Sequence, residues 1–485
     1  MPVNTGVLTS LRRPQTFHTF SYLQGGRALV PLPQRLLLIG TMKGGTAVAG
    51  TIYQINDAQE TDALFGVGTP LALMCRMAFA TGALLGQGPQ LYACGVAEPG
   101  SGAAHTQTFT VTGTATASGN VVIRIAGRTL TIGVAVGDVQ NTIASAINAA
   151  IGAQKINLPV TSSVAANVVT ATHTVKGIGG QDVIYEVVST PAGVTVTTAQ
   201  GVAGSGVADE TAALANASGP DYDAIALENH AAADIALALS HVTTAWSSSE
   251  KKWRWIFIGE PGTIGAATTL ASAANDRAIV VVCCEQCPNL PGEIATAAAF
   301  GMLSRSRPNG NWDGMRLPLF PPYDAYDFTN SEVETALAAG VTPLKPVVDP
   351  QTRVQTPGVV KIEKLVTTST TQSGQPFEAL RDIAVPRTGA YIARQIDAAF
   401  AARFGAAANP DGVLLTDDTV QQVRDMVANI LYAAQDNKIL TNVDSDLKLL
   451  VVEKDSSAPG RINVDVTYTV VLGLHQVAFV HRVTI

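Results

Sequence analysis

Three runs rich in β-branched and aromatic residues most constrain this chain: YDAIALEN (222–229), WRWIFIGE (253–260) and AIVVVCCE (278–285). The segments between them, 230–246 with Asn229 as its cap and 264–275, carry helical rather than alternating periodicity. Strand and helix in alternation require crossover connections, and crossovers build a mainly parallel sheet covered on both faces. Upstream the same grammar holds. RLLLIG (35–40) and QLYACGV (90–96) read as buried strands, and Thr69 with Pro70 reads as the cap and first turn of a helix through LALMCRMAFATGALL.

Residues 105–204 break the pattern. This stretch has only seven charged residues and is crowded with Thr, Val and Gly. FTVTGTAT, VVIRIA, RTLTIGVAV, VVTATHTV, VIYEVV and VTVTTA are short alternating strands, interrupted by one helix with Asp138 as cap and Ile143, Ile147 and Ile151 on one face. Such spacing predicts a β-sandwich inserted into the α/β unit, which resumes after it. A proline-rich traverse over 305–358 follows, with a short helix opening at Thr329-Asn330-Ser331 and ending at Gly340. The last part opens with a strand at 359–367 and a helix from Thr388 with Ile392, Ile396, Ala399 and Phe400 on one stripe. A helix capped by Thr416 comes next, with Val420, Val423, Val427, Ile430, Leu431 and Ala434 in line.

After the strand LKLLVVE and a turn at Pro459-Gly460, 461–485 reads RINVDVTYTVVLGLHQVAFVHRVTI. Ile462, Val464, Val466, Tyr468 and Val470 alternate with Asn463, Asp465, Thr467 and Thr469, and Val477, Phe479, His481, Val483 and Ile485 continue as a second strand. Such a β-competent edge is either paired within its own fold or donated to another subunit. The other end matches it. Residues 1–26 read as an extended arm: Pro14 blocks a helix, Phe20 and Tyr22 alternate with Thr19 and Ser21, and Gly25-Gly26 forms a joint.

Charge is distributed unevenly. No acidic residue precedes Asp57, while Arg12, Arg13, Arg27, Arg35 and Lys43 give +5, so the remainder carries −12 of the net −7. A basic arm on an acidic body can bind nucleic acid or the body of a sibling chain, and the scatter of the five cations favours the sibling. At 485 residues two to four domains are expected. No apolar run approaches a membrane span, and the opening residues lack a secretory pattern, so synthesis and first folding in a cytoplasm are expected.

The five cysteines do not form a disulfide framework. CCEQC holds one C-x-x-C without a second pair for zinc, and its thiols read as small buried hydrophobes. There is no phosphate loop: GTMKGG lacks the spacing and the hydroxyl. GIGG at 177–180 lies among sandwich strands rather than between a strand and a helix, and neither G-x-S-x-G nor H-E-x-x-H occurs. Glu228, His230 and Glu260 stand at strand ends, where an α/β enzyme could place its chemistry. With no nucleophile beside them, capping or interface contact is the favoured role, and no cofactor, metal or catalytic residue is expected.

These residues together resemble the contractile-tail sheath family of myophages, in particular its Mu-like branch. RRPQTFHTF…ALVPLPQRLLLIG resembles the family's arm and first strand. SRPNGNWDGMRLPLFPPYDAYDFTNSEVETALAAGVTPL resembles its traverse. KIEKLVTTSTTQSGQPFEALRDI, YIARQIDAAFAARF and ANPDG resemble the opening of its C-terminal domain. The sequence departs from the pattern at His18, where an acid is expected.

The resemblance implies an arm (1–26), a discontinuous α/β core of subtilisin-like topology (27–104 and 205–356), the inserted β-sandwich (105–204) and a C-terminal α+β domain (357–485). It implies a non-proteolytic structural subunit of the virion tail, assembled in the host cytoplasm. Such subunits stack as hexameric rings around a tube and contract to drive the tube through an envelope. Its partners would be itself, the tail tube protein, and baseplate and terminator proteins, with no nucleic acid or membrane insertion. Subunit contacts would fall on Arg12, Arg13, Phe17, Phe20 and Tyr22 of the arm and on Val477, Phe479, His481, Val483 and Ile485 of the last strand. Gly25, Gly26, Pro459 and Gly460 would be hinges, and Asp417, Asp418, Arg424 and Asp425 would touch the tube. An α/β hydrolase-like enzyme with an appended sandwich, or a tube or baseplate protein, are the alternatives.

Overall fold

The computed structural model describes residues 34–322, 328–405, 412–458 and 460–475. Among these, 34–390 with 472–475 form one compact unit and 391–471 another.

The larger unit begins with β1 (Arg35–Met42), buried at its six central positions. After β2 (Ile52–Ile55) and α1 (Glu60–Phe65) comes α2 (Pro70–Leu85), capped as expected: Thr69 Oγ1 accepts the Ala72 N–H, and Gly86 closes the helix at φ 76°. β3 (Gln90–Ala97) lies parallel to β1 from Arg35↔Gln90 to Met42↔Ala97.

The inserted stretch follows. Its elements are β4 (Thr106–Gly113), β5 (Gly119–Ile125), β6 (Arg128–Val134), α3 (Gln140–Ala153), β7 (Val160–Ala165), β8 (Val168–His173), a 3-10 turn at Ile178–Asp182, β9 (Tyr185–Ser189) and β10 (Val194–Gln200). They form sheets β10-β4-β8-β7 and β6-β5-β9, which share one core with α3 through Phe109, Val111, Ile123, Ile132 and Ile147. Threonine recurs on the outer faces because a β-branched hydroxyl residue suits a pleated, half-wet surface. Asp138 is not the cap of α3. Val139 holds that position, and the Asp138 carboxylate instead accepts the Ala135 N–H at 2.7 Å, closing the turn before the helix.

The alternation then resumes through α4 (Thr211–Ala217), β11 (Ala224–Leu227), α5 (Ala232–Ala245), β12 (Trp255–Glu260), α6 (Ile264–Ala274), β13 (Ile279–Cys283) and α7 (Pro291–Leu303). β14 (Arg316–Leu317), α8 (Asn330–Ala338), β15 (Val341–Val348) and β16 (Gln355–Ile362) complete a nine-stranded sheet, ordered β14-β16-β15-β13-β12-β11-β1-β3-β2. The inner run from β15 to β3 is parallel throughout. α2 and α7 cover one face and α5 and α6 the other. α7, PGEIATAAAFGML, is buried at every position, which explains its small residues: a helix closed in on all sides has no polar face to keep.

Three sequence expectations shift here. α5 begins at Ala232 rather than His230, because Asp234 accepts the Ala231 N–H at 3.0 Å and caps the helix from inside its first turn. Asn229 instead donates to the Ala208 carbonyl at 3.1 Å. Cys75, Cys94 and Cys283 are buried thiols, but Cys284 and Cys287 are joined in a disulfide across a turn that sets their Cα atoms 5.4 Å apart.

The short hairpin β17 (Thr371–Gln372) and β18 (Gln375–Pro376) precedes α9 (Ala384–Phe404). That helix starts before Thr388, where Asp382 Oδ1 accepts the Ala384 N–H at 3.0 Å. In the smaller unit α10 (Asp417–Asp436) is capped by Thr416, whose Oγ1 accepts the Thr419 N–H at 3.2 Å. α10 packs Met426, Val427, Ile430, Leu431 and Ala434 with Ile392 of α9. Phe400, expected on the same stripe, is 49% exposed.

β19 (Leu440–Thr441), α11 (Val443–Asp446), β20 (Val451–Lys454), β21 (Ile462–Asp465) and β22 (Thr469–Val470) finish this unit. The continuous strand expected over 461–470 is therefore two. β21 pairs with β20 and β22 with β19, and Asp446 accepts the Thr469 N–H at 2.9 Å where the chain changes partner.

Candidate interaction surfaces

The smaller unit presents polar and apolar surface side by side. On α10, Asp417 Oδ1 meets Lys454 Nζ at 2.7 Å, and hydrogen bonding to that ammonium holds the Asp417 carboxyl below its ordinary range. Asp418 is exposed, and Asp425 accepts from Gln421 Nε2 at 2.8 Å. Arg424 is occupied: its guanidinium donates to the Leu450 carbonyl at 3.2 Å. Asp417, Asp418 and Asp425 are exposed, whereas Arg424 is half-buried. Gly460 has φ 90° and nothing near its missing Cβ. It sits in the β20–β21 loop, where Asp455 accepts from the Ser457 and Ala458 N–H groups and from Arg461 and Asn463. Arg12, Arg13, Phe17, Phe20, Tyr22, Gly25, Gly26, Pro459, Val477, Phe479, His481, Val483 and Ile485 lie outside the described residues.

The β20–β21 hairpin has open edges: among the described residues no third strand joins it. Val451 and Val464 on its strands are 47% and 41% exposed. A two-stranded ribbon with bare edges and exposed valines is what an added strand requires.

The larger unit holds a second locus. From β1 the sheet grows to β3 on one side and to β11 on the other, so its topological switch point lies between β1 and β11. Glu228, just past β11, accepts the Thr41 N–H from β1. His230 Nδ1 is 2.9 Å from Glu260 Oε2 at the end of β12, and its Nε2 is 3.3 Å from Asp182 Oδ2 of the insertion. Burial opposes charge on His230, but hydrogen bonds to Asp182 and Glu260 outweigh it and push its pKa up to about 10.

Burial raises the pKa of Glu228 to about 7, against the Thr41 hydrogen bonds and helped by Asp182 and Asp234. Burial likewise raises Glu210 and Asp234. A cavity of about 20 Å³ lies among Met74, His173, Gly179, Glu228, His230 and Pro291, room for roughly one water. Its described lining carries acids and imidazoles but no serine, threonine or cysteine to serve as nucleophile.

Glu228, His230 and Glu260 were visible in the sequence as strand-end residues. Asp182, Glu210 and His173 were not, since they come from the insertion and its return. The signal for Asp182 was the run GIGG before it: a Cβ on Gly180 would stand 2.7 Å from His105 Cβ and 2.9 Å from His173 Cγ, so only glycine lets the turn lie this deep.

Glu228 gives a signed pH prediction. Its folded pKa exceeds the ordinary value, so the folded state binds its proton more tightly, and stability falls as pH rises from about 4.5 to about 7. In Glu228→Gln that fall should shrink by roughly 3 kcal/mol, as measured by urea melts across the range. An unchanged pH slope would remove the assignment.

Residues 376–484 match the family model for the phage tail sheath C-terminal domain. Across 343 residues, 69% of this chain and 69% of the relative, it is 24% identical to the Mu-like prophage FluMu tail sheath protein of Haemophilus influenzae. The crystal structure of a sheath tail protein from Desulfitobacterium hafniense aligns with TM-score 0.48 and 14% identity, over 90% of this chain and 93% of that one. One from Listeria innocua aligns with TM-score 0.49 and 16% identity, over 92% and 96%. The resemblance to Mu-like tail sheath proteins is borne out by the family model over 376–484 and by the Haemophilus influenzae relative. Among the described residues no helix is long and apolar enough to cross a membrane.

Proposed function

We propose that this chain is the structural, non-enzymatic subunit of a contractile tail sheath. Its copies stack as hexameric rings around a tail tube, and contraction of the stack drives the tube through the target envelope. The observation that carries this reading is the match of 376–484 to the sheath C-terminal domain, joined to similarity with a tail sheath protein over most of the chain.

The open β20–β21 hairpin supports a trans-acting mesh: a strand donated from a neighbouring copy would add up to about four backbone hydrogen bonds, each worth about 1 kcal/mol net. In this reading 1–26 and the last strand are the donated arms, with hinges at Gly25-Gly26 and Pro459-Gly460. The sheath contacts the tube through the acidic face of α10 and meets baseplate and terminator proteins at its ends. A wet, charged tube contact suits a surface that must let go during contraction, since exposed ion pairs are weak.

Electron microscopy of the purified full chain tests the proposal. Rings or long tubular polymers are expected, and a monodisperse monomer at high concentration would overturn it. In the same preparation, Asp418→Lys with Asp425→Lys should polymerise normally but fail to co-sediment with tail tubes. Failure of polymerisation instead would assign α10 to sheath–sheath contact.

A further inference from the structure

The crevice at the switch point of an open α/β sheet is where such folds admit a ligand. Here the chain's own 3-10 turn, Ile178–Asp182, borders it, beside Glu228 and His230. Backbone bonds from this region run to the linkers of the insertion: Ile178 N–H to Gly206 O at 2.9 Å, and Lys176 N–H to Glu98 at 3.0 Å. Asp182 alone of this turn reaches a charged side chain of the sheet, through His230, which in turn holds Glu260. Apolar contact contributes as well, since Leu73 and Leu290 from the sheet's helical layer pack into the insertion's core.

We propose that this turn is a built-in occupant of the crevice and that His230 is the latch that fastens the β-rich insertion to the α/β sheet. The latch is a three-charge bridge, with an imidazolium between one carboxylate of the insertion and one of the sheet. Among the described residues, the other ionisable groups around the locus are acidic or uncharged at neutral pH, apart from Lys43. Glu228 lies past β11, Asp234 in α5, Glu210 and Asp209 ahead of α4, and His173 and His105 in the insertion. His173 and His105 are biased toward neutrality by burial. The surroundings therefore favour a cation at position 230.

The sign follows from the geometry. The folded pKa of His230 is raised, so its contribution is complete below the unfolded value of 6.5 and is lost as pH rises through about 10. The latch holds at neutral pH and opens in alkali.

Hydrogen exchange on the full chain tests this, read over the linker 201–210 and over β11–β13. At pH 7, His230→Gln and Asp182→Asn should each raise linker exchange about tenfold, and the double variant should add little, because both remove one interaction. After correction for intrinsic exchange, the parent should approach the variants as pH passes about 10, while the variants stay flat. Asp182→Asn keeps shape at a partly exposed position, so it carries the test if His230→Gln does not fold. Unchanged linker exchange in Asp182→Asn, or equal acceleration in β11–β13, would overturn the proposal.

Discussion

Removing residues 1–22 is expected to leave a folded, soluble protein that no longer polymerises. The structural reason is the position of β1. It starts at Arg35 and is paired on both sides, with β3 and with β11, so the centre of the sheet is complete without residues 1–22. What the deletion removes is Arg12, Arg13, Phe17, Phe20 and Tyr22: basic and alternating residues suited to an acidic sibling and an open strand edge.

Deleting 476–485 should act in the same way. The last described residue, His475, is tied to Asp313 at 2.6 Å and to Asp382 at 3.0 Å, so the truncated chain keeps that attachment. Circular dichroism and sedimentation separate the outcomes. A folded, non-polymerising product supports donation in trans, whereas loss of the cooperative melt would place the strand in its own core. A truncated chain that still builds normal rods would rule out strand donation.

The second large effect is expected at Gly259. In β12 its missing Cβ would overlap the Pro291 carbonyl oxygen and stand 2.9 Å from Ile294 Cβ, both at the start of α7. The start of that helix is close-packed elsewhere too, since a Cβ on Gly292 would stand 2.6 Å from Met74 Sδ. Gly259→Ala should therefore cost about 3 kcal/mol or more, at the severe end for overpacking. Gly152→Ala is the control: it lies in α3 with open space around it and should be neutral or stabilising by up to about 1 kcal/mol. Denaturant melts should fall for Gly259→Ala and hold or rise for Gly152→Ala, and equal melts would refute the packing argument.

Strands fully buried in the sheet were legible because continuous β-branched runs leave little else to be. RLLLIG and WRWIFIGE became β1 and β12 with small changes at their ends. Caps with a hydroxyl in place, Thr69, Thr329 and Thr416, were legible for the same local reason. Asp138 and Asn229 were misread because each side chain found a different backbone partner, and sequence alone does not rank such local bonds. The His230 bridge was half legible. Its two sheet residues stand at strand ends, but Asp182 arrives from 48 residues upstream, through a turn that only the packing of Gly180 explains.

The pairing of β1 with β11 has a consequence for biosynthesis. The two strands at the centre of the sheet are about 188 residues apart in the chain. At about 5–20 residues per second, a ribosome needs roughly 10–40 s to make that stretch. During this interval β1 and β3, nearly all apolar, wait with one edge of β1 unclaimed, while the intervening β-rich segment is complete and able to fold. The seam of the sheet thus closes late in synthesis, and the insertion is finished before the crevice beside it exists. Slowing translation between codons 205 and 224 should therefore lower soluble yield more than slowing it after codon 300, since it prolongs the exposure of an unpaired apolar strand.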